Sequence, residues 1–258
     1  MFRRILAGTD GSDSATLALA HAADLAEKLG ADLVVATAHA ESGKGGSLDP
    51  HAVIAGALLR DVEATHGGRL SVTTRAAAGT ADDVLLALAA EEGCDLVVVG
   101  NRGLSKSALL QPSSVPGKVA KRAPVAVLVV DTVGKQPPGY GRVLVGSDGS
   151  PTAAVAVDAA RDLGAALGSE VDIATVASSE RDGRNVLEAI QARWPGSTVH
   201  VLDGEPSEAL ADLTQSERFD LLVLGNRGMA GVRRALGNIP LRVLRRAPSS
   251  VLVVNTSG

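Results

Sequence analysis

A ten-residue pattern occurs twice in the chain, and it restricts the fold more than any other feature. Residues 94–103 read Cys-Asp-Leu-Val-Val-Val-Gly-Asn-Arg-Gly, and residues 219–228 read Phe-Asp-Leu-Leu-Val-Leu-Gly-Asn-Arg-Gly. The branched apolar run in each copy is typical of a strand that is buried on both faces of a parallel sheet. The Gly-x-x-Gly turn after it allows positive φ and a close approach of a ligand to the main chain. The arginine between the glycines offers a planar cation to phosphate oxygens.

The rest of the sequence also divides into two similar halves. Residues 5–12 match residues 143–150 at an offset of 138 (148 - 10 at the aspartate), whereas the glycine turns are offset by 125 (225 - 100). The second half therefore lacks 13 residues (138 - 125) in its middle, and its Arg-Ala-Pro segment, at an offset of 124 (246 - 122), lacks one more. Because residues 132–141 are rich in proline and glycine, we predict one domain over 1–131, a linker over 132–141 and a second domain over 142–258.

Segments with strand and helix patterns alternate in both halves. This alternation, with continuous apolar strands, predicts an α/β fold in which helices cover both faces of a parallel sheet. Ser12 and Thr80 are the expected N-caps of the first and third helices. Further predicted helices cover residues 52–66, 114–121, 151–167, 183–193 and 207–217.

Composition argues against several classes of function. A formal net charge of -4 and an aromatic content of 2% disfavour a general nucleic-acid binder, which needs basic patches or stacking platforms. The single cysteine, Cys94, rules out an internal disulfide framework, and we predict that it is a buried, inert thiol. The five histidines show no metal-ligand spacing, so we expect no metal site built from protein ligands. No apolar run is long enough for a signal peptide or a membrane span, so we expect a cytoplasmic protein without membrane contact.

Two repeated motifs are expected to meet at one edge of each sheet. Asp10 and Asp148 follow the first strand of each half, and the glycine turns follow the fourth. If these strands are neighbours, both motifs lie at the crevice where the strand order reverses. An aspartate there can accept hydrogen bonds from ribose hydroxyls, while the turn and the next helix N-terminus attract phosphates. The alternative is that each aspartate forms an Asx turn or a helix cap, and that each glycine turn is only a tight strand exit.

At these residues the chain resembles a tandem universal stress protein, and the resemblance covers both halves. It rests on the Gly-Thr-Asp-Gly-Ser and Gly-Ser-Asp-Gly-Ser openings, the Gly-Asn-Arg-Gly turns and the closing Arg-Ala-Pro-x-x-Val-Leu-Val-Val segments. The resemblance implies two tandem, doubly wound, five-stranded parallel-sheet domains with the strand order 3-2-1-4-5, similar to adenine nucleotide hydrolases. Nucleotide-binding members of the family carry Gly-x2-Gly-x9-Gly-Ser/Thr after the fourth strand.

The same resemblance implies ATP as a ligand, with Mg²⁺ accompanying the triphosphate and held by phosphate oxygens and water. Adenine would lie beside Ala38 or Val176, ribose at the aspartates, and the phosphates at the glycine turns. The implied set is Thr9, Asp10, Ala38, Gly100, Arg102, Gly103, Ser113 and Ser114 in the first domain, and Ser147, Asp148, Val176, Gly225, Arg227, Gly228, Gly237 and Asn238 in the second.

Both halves depart from the family motif after the glycine turn. In the first half Ser113 replaces the third glycine, and Pro112 before it removes an N–H donor. In the second half only eight residues separate Gly228 from Gly237, and Asn238 replaces the hydroxyl residue. Neither half therefore carries the complete phosphate-binding motif of the family.

Two classes of function therefore stay open. One is a stress-response regulator that binds ATP in one or both domains and is at most a very slow ATPase, since no nucleophile–base pair is visible. The other is a nucleotide-free interaction and dimerisation platform with degenerate ATP sites and an unknown protein partner. Because the apolar last strand of each half would be a sheet edge, we expect internal pairing of the halves through these strands, and a homodimer is also open.

Overall fold

The computed structural model of the chain describes residues 1–40, 50–101, 113–134, 136–226 and 238–256, with residues 50, 51 and 238 as backbone only. These residues form two compact units, Phe2–Pro138 and Gly139–Gly258. Strands and helices alternate along each unit, as the apolar patterns predict.

The described elements of the first unit are β1 (Arg4–Gly8), α1 (Asp13–Leu29), β2 (Asp32–His39), α2 (Pro50–His66), β3 (Val72–Ala78), α3 (Ala81–Glu91), β4 (Leu96–Gly100), α4 (Val115–Arg122) and β5 (Ala126–Val130). Those of the second unit are β6 (Arg142–Gly146), α5 (Pro151–Leu167), β7 (Glu170–Val176), α6 (Glu180–Arg193), β8 (Val199–Leu202), α7 (Pro206–Ser216), β9 (Leu221–Gly225), α8 (Asn238–Arg246) and β10 (Ser250–Val254).

Each unit contains a parallel sheet in which the first and fourth strands are neighbours. The order is β3-β2-β1-β4-β5 in the first unit and β8-β7-β6-β9-β10 in the second. Ile5 of β1 is in register with Leu96 of β4, and Val143 of β6 with Leu221 of β9. The predicted doubly wound fold with the order 3-2-1-4-5 is confirmed in both units.

The core of each sheet is aliphatic because the chain has few aromatic residues to fill it. Every residue of β4, β5 and β10 is buried. Burying one Val or Leu side chain contributes about 1.5–3 kcal/mol, so these strands account for much of the stability of each unit. Cys94 is buried immediately before β4, as predicted, and this burial raises the pKa of its thiol to about 11.

The helix N-termini follow the sequence signals, and the two largest differences are at α3 and α6. Ser12 caps α1 and accepts a hydrogen bond from the Ala15 N–H at 3.2 Å, as predicted. Thr80 stands at the N-cap of α3, but its hydroxyl donates to Asp83 at 2.8 Å and accepts no helix N–H. Helix α6 begins at Glu180 rather than at residue 183, because the Ser179 hydroxyl caps it and an acidic first turn suits the helix dipole.

Candidate functional site

The carboxyl ends of three strands lie level at one edge of each sheet. In the first unit Gly8 pairs with Ala36, and Ala7 pairs with Val98. Thr9, Ala38 and Gly100 follow at that edge. In the second unit Gly146 pairs with Ala174 and Val145 with Val223, so Ser147, Val176 and Gly225 take the equivalent places. The register thus brings the predicted ribose, adenine and phosphate positions of each half to a common edge.

The aspartate after the first strand forms an Asx turn in both units. Asp10 Oδ1 accepts from the Ser12 N–H at 3.0 Å, and Asp148 Oδ1 accepts from the Ser150 N–H at 2.9 Å. The glycine between them has φ of 77° in the first unit and 76° in the second, a conformation that favours glycine. The turn engages one carboxylate oxygen, and the other forms no hydrogen bond with the residues that the structure describes. Each aspartate therefore forms the Asx turn and still offers its second carboxylate oxygen as an acceptor for a ligand.

The second unit contains a cavity of about 110 Å³ at this edge. Four predicted site residues line it: Ser147, Asp148, Val176 and Gly225. Asp148 supplies a carboxylate to a lining that is otherwise mostly apolar, formed by side chains of α5, β7, α7, β9 and α8. The remaining lining residues are Gly146, Ala153, Ala174, Pro206, Leu210, Leu224, Ile239 and Pro240.

The predicted phosphate residues are described only in part. Arg102, Gly103, Arg227, Gly228 and Gly237 lie outside the described residues, as does the side chain of Asn238, the first residue of α8. In the first unit Ser113 is exposed and Ser114 caps α4, accepting from the Gly117 N–H at 3.3 Å. Pro116 has no N–H, so part of the donor set at this helix N-terminus is already used or missing.

Gly100 is a glycine because of packing and not because its backbone needs a positive φ. Its φ is not positive, unlike that of Gly11. A Cβ on Gly100 would lie 2.6 Å from the Ser14 hydroxyl oxygen and 2.9 Å from the Ser14 carbonyl oxygen. The first glycine of this turn therefore allows β4 to pack against the first turn of α1.

Asn101 ties the end of β4 to the segment that follows β5. Its Nδ2 donates to Asp131 Oδ1 at 2.8 Å, and its Oδ1 accepts from the Thr132 hydroxyl at 2.6 Å and the Thr132 N–H at 3.2 Å. We call these three residues the first asparagine clasp. The backbone N–H of Asn101 also donates to the Val130 carbonyl at 2.9 Å.

The second unit repeats this arrangement. Asn226 Nδ2 donates to Asn255 Oδ1 at 3.0 Å, and Asn226 Oδ1 accepts from the Thr256 N–H at 2.9 Å and the Thr256 hydroxyl at 2.8 Å. These three residues form the second asparagine clasp. Our sequence reasoning assigned the repeated asparagines to the ligand loop and missed this role. The missed signal is the Asp-Thr and Asn-Thr that follow Val-Leu-Val-Val in the two halves.

Ion pairs fix the helix after each glycine turn against the preceding helix. In the first unit the buried Asp82 of α3 pairs with Lys118 and Arg122 of α4 at 3.1 and 2.8 Å. In the second unit Glu205, at the N-cap of α7, pairs with Arg242 of α8 at 3.0 Å. A hydrogen bond from the Ser207 hydroxyl, together with Arg242, holds the pKa of Glu205 below its ordinary value.

Two histidines have structural partners away from the crevice. His21 is buried on α1 and lies 3.3 Å from the Gln136 carbonyl oxygen, and His200 pairs with Asp172 at 2.9 Å. Among the described residues, no group of three or more His, Cys, Asp or Glu side chains is placed to hold a metal ion. None of the helices within the described ranges combines the length and apolar character needed to cross a membrane.

The fold and the crevice define a class of protein. Each unit is a doubly wound five-stranded sheet, with an Asp-Gly-Ser turn and the first glycine of the Gly-Asn-Arg-Gly sequence at adjacent strand ends. The model of the universal stress protein family matches residues 1–131 and 180–255. The chain belongs to the universal stress protein family.

Known relatives agree with this assignment. The chain is 37% identical over 145 residues to the universal stress protein Rv1636 of Mycobacterium tuberculosis, an alignment that covers 51% of this chain and 97% of the relative. A universal stress protein structure from Archaeoglobus fulgidus aligns with a TM-score of 0.76 at 23% identity, covering 98% of this chain and 96% of the other. A structure from Pseudomonas aeruginosa gives 0.74 at 20% identity, covering 98% and 93%. At these identities the structures show a common fold.

Proposed function

We propose that this protein is a stress-response regulator that binds ATP, with the crevice of the second unit as its principal site. The observation that carries the proposal is the cavity itself, which brings Ser147, Asp148, Val176 and Gly225 together. The family resemblance implies these residues as parts of the ATP site. Their common cavity supports one continuous site for one ligand.

The residues of the cavity fit the parts of a nucleoside. Val176, Leu210 and Leu224 offer an apolar surface to a purine ring, and most ligand sites combine such a surface with a few placed polar groups. Asp148 offers a carboxylate oxygen to ribose hydroxyls, and charge-assisted hydrogen bonds of this kind are the stronger ones. Gly225 marks the start of the turn toward which the phosphates would extend. Mg²⁺ would be bound by phosphate oxygens and water rather than by this chain.

We propose binding rather than catalysis as the activity. The Asp148 carboxylate already fixes its turn through the Ser150 N–H, which suits a holding role. ATP occupancy would change the shape of the protein or its affinity for a partner. Any ATP turnover should lie far below the rates of about 1–10³ s⁻¹ that are usual for enzymes.

The test is a calorimetric titration of the purified chain with ATP in excess Mg²⁺, after removal of any nucleotide that co-purifies. Asp148→Asn keeps the Asx turn, because its amide oxygen still accepts from the Ser150 N–H, but it removes the charged acceptor. We expect this change to weaken binding on the order of tenfold. The matched change Asp10→Asn in the first unit should leave the titration of the second-unit site unchanged.

The alternative function is a nucleotide-free interaction platform. The observation that favours it is the N-terminus of α4, where Ser114 already caps the helix and Pro116 lacks an N–H. Absence of binding at millimolar ATP would overturn the nucleotide proposal and leave this alternative. Light scattering of the apo protein would then show whether it forms a homodimer.

A further inference from the structure

Both asparagine clasps have the same donor and acceptor pattern. In each, the asparagine amide nitrogen donates to the residue after the last strand, and the amide oxygen accepts twice from the next threonine. The threonine N–H requires an acceptor, so the orientation of the amide group is fixed. The same hydrogen bonds thus hold the start of the glycine turn in both units.

The asparagine side chain points to its own clasp and not to the crevice. Asn226 directly follows Gly225, which lines the cavity, yet Asn226 is not among the residues that line it. Its amide oxygen holds two hydrogen bonds from Thr256, and its amide nitrogen holds one to Asn255. An asparagine engaged in this way acts on a ligand through the position of the main chain.

The clasp of the first unit extends to a helix as well. Because the Thr132 hydroxyl donates to Asn101, the Ser14 hydroxyl is the donor in the 2.8 Å contact between Ser14 and Thr132. In the second unit Thr152 takes the place of Ser14, and its hydroxyl lies 3.0 Å from the Ser150 hydroxyl instead. The feature common to both units is therefore the asparagine and the two residues after the last strand.

We infer that Asn101 and Asn226 are positioning residues, each of which fixes the start of its glycine turn against the segment after the last strand. That segment is then coupled to Gly225 at the crevice, and a ligand in the crevice stabilises the clasp in turn, because coupling between two sites is reciprocal. The coupling to a ligand rests on the function proposed above, whereas the positioning of the turn does not.

The chain supplies its own conservative control. The two clasps differ at one position, which is Asp131 in the first unit and Asn255 in the second. Asn255→Asp converts the second clasp to the chemistry of the first and should preserve it. Asn226→Ala removes the side chain that forms the clasp, and Thr256→Val removes one donor at nearly constant volume.

The experiment is hydrogen exchange of the full chain, followed in the peptides that cover residues 219–226 and 250–256, together with ATP titrations. We expect Asn226→Ala and Thr256→Val to accelerate exchange in these two peptides and to weaken ATP binding about fivefold or more, while Asn255→Asp changes neither. Asp158→Asn is the control for general destabilisation. It weakens the hydrogen bond from Trp194 Nε1 to Asp158, 2.8 Å long, without touching the clasp. It should leave both readouts unchanged.

The outcomes separate the positioning role of the asparagines from the coupling to a ligand. Unchanged exchange in Asn226→Ala, or equal changes in Asp158→Asn, would overturn the positioning role. Accelerated exchange without any ATP binding by the wild-type chain would support the role at the turn and refute the nucleotide proposal instead. Accelerated exchange with unchanged ATP affinity would refute the coupling to the ligand.

Discussion

Gly100 at the end of β4 lies against Ser14 in the first turn of α1, so closely that a Cβ on the glycine would be 2.9 Å from the Ser14 carbonyl oxygen. Gly100→Ala must therefore displace backbone, and we expect it to lower the free energy of unfolding by about 1–3 kcal/mol. Urea denaturation followed by circular dichroism measures this. Gly56→Ala in α2 is the control, because its Cβ would meet only the tip of Arg60 at 3.6 Å. That change should be neutral or stabilising, and equal losses in the two variants would contradict the packing explanation.

Asp82 should contribute far more to stability than its neighbour Asp83. Only 5% of the Asp82 side chain is exposed, against 60% for Asp83, and Asp82 holds both Lys118 and Arg122. We expect Asp82→Asn to cost about 1–3 kcal/mol, since hydrogen bonds to a buried charged group are lost. Asp83→Asn should have a clearly smaller effect because solvent screens its pairing with Arg122. Thermal unfolding of both variants tests this. A larger loss of stability in Asp83→Asn than in Asp82→Asn would show that the Asp82 ion pairs do not hold α4 to α3.

Cys94 should react only when the first unit opens. Burial raises the pKa of its thiol from 9.0 to about 11, which lowers the thiolate fraction at a given lower pH about a hundredfold, and the buried sulfur is shielded as well. We expect slow labelling by a thiol reagent at pH 8 and rapid labelling in denaturant. The single cysteine makes the assignment unambiguous. Because the folded-state pKa is raised, the stabilisation from burying the neutral thiol is lost as pH rises from about 9 toward 11. Labelling at the same rate in native and denatured protein would contradict the buried position.

His21 should make the first unit sensitive to mild acid. Burial lowers the pKa of His21 below 6.5, although the nearby carboxylates of Asp24 and Asp131 and the Gln136 carbonyl act in the opposite direction. A lowered folded-state pKa means that its contribution to stability is present above pH 6.5 and is lost as pH falls through the folded-state value. Denaturation at pH 7.5 and 5.5 should show a smaller pH dependence in His21→Gln than in wild type. Identical pH dependence in the two proteins would show that the pKa of His21 is the same in the folded and unfolded states.

The sequence predicts the architecture well because the signals for it are local. Branched apolar runs, the Ser12 cap and the turn residues each depend on neighbours along the chain, and they predict the observed alternation of strands and helices. The aspartate turns could also be anticipated, since an Asx turn needs only the two residues after Asp10 or Asp148. The order of the strands within each sheet is not local information, and only the family resemblance implied it.

The role of the asparagines could not be predicted in the same way, because their partners are distant in sequence. Asn101 bonds to residues 30 and 31 positions further on. The reason for Gly100 likewise depends on Ser14, which only the packing of β4 on α1 reveals. A glycine in a suspected ligand loop has two explanations, close approach of a ligand or close approach of a helix, and sequence does not separate them. The structure assigns the second explanation to Gly100.

The most direct test of the nucleotide proposal is a crystal structure of the chain grown with saturating ATP and Mg²⁺. We predict that the purine will lie against Val176 in the crevice of the second unit, with a ribose hydroxyl within hydrogen-bonding distance of the Asp148 carboxylate. Crystals without nucleotide in this crevice, or with nucleotide bound elsewhere on the chain, would contradict the proposal.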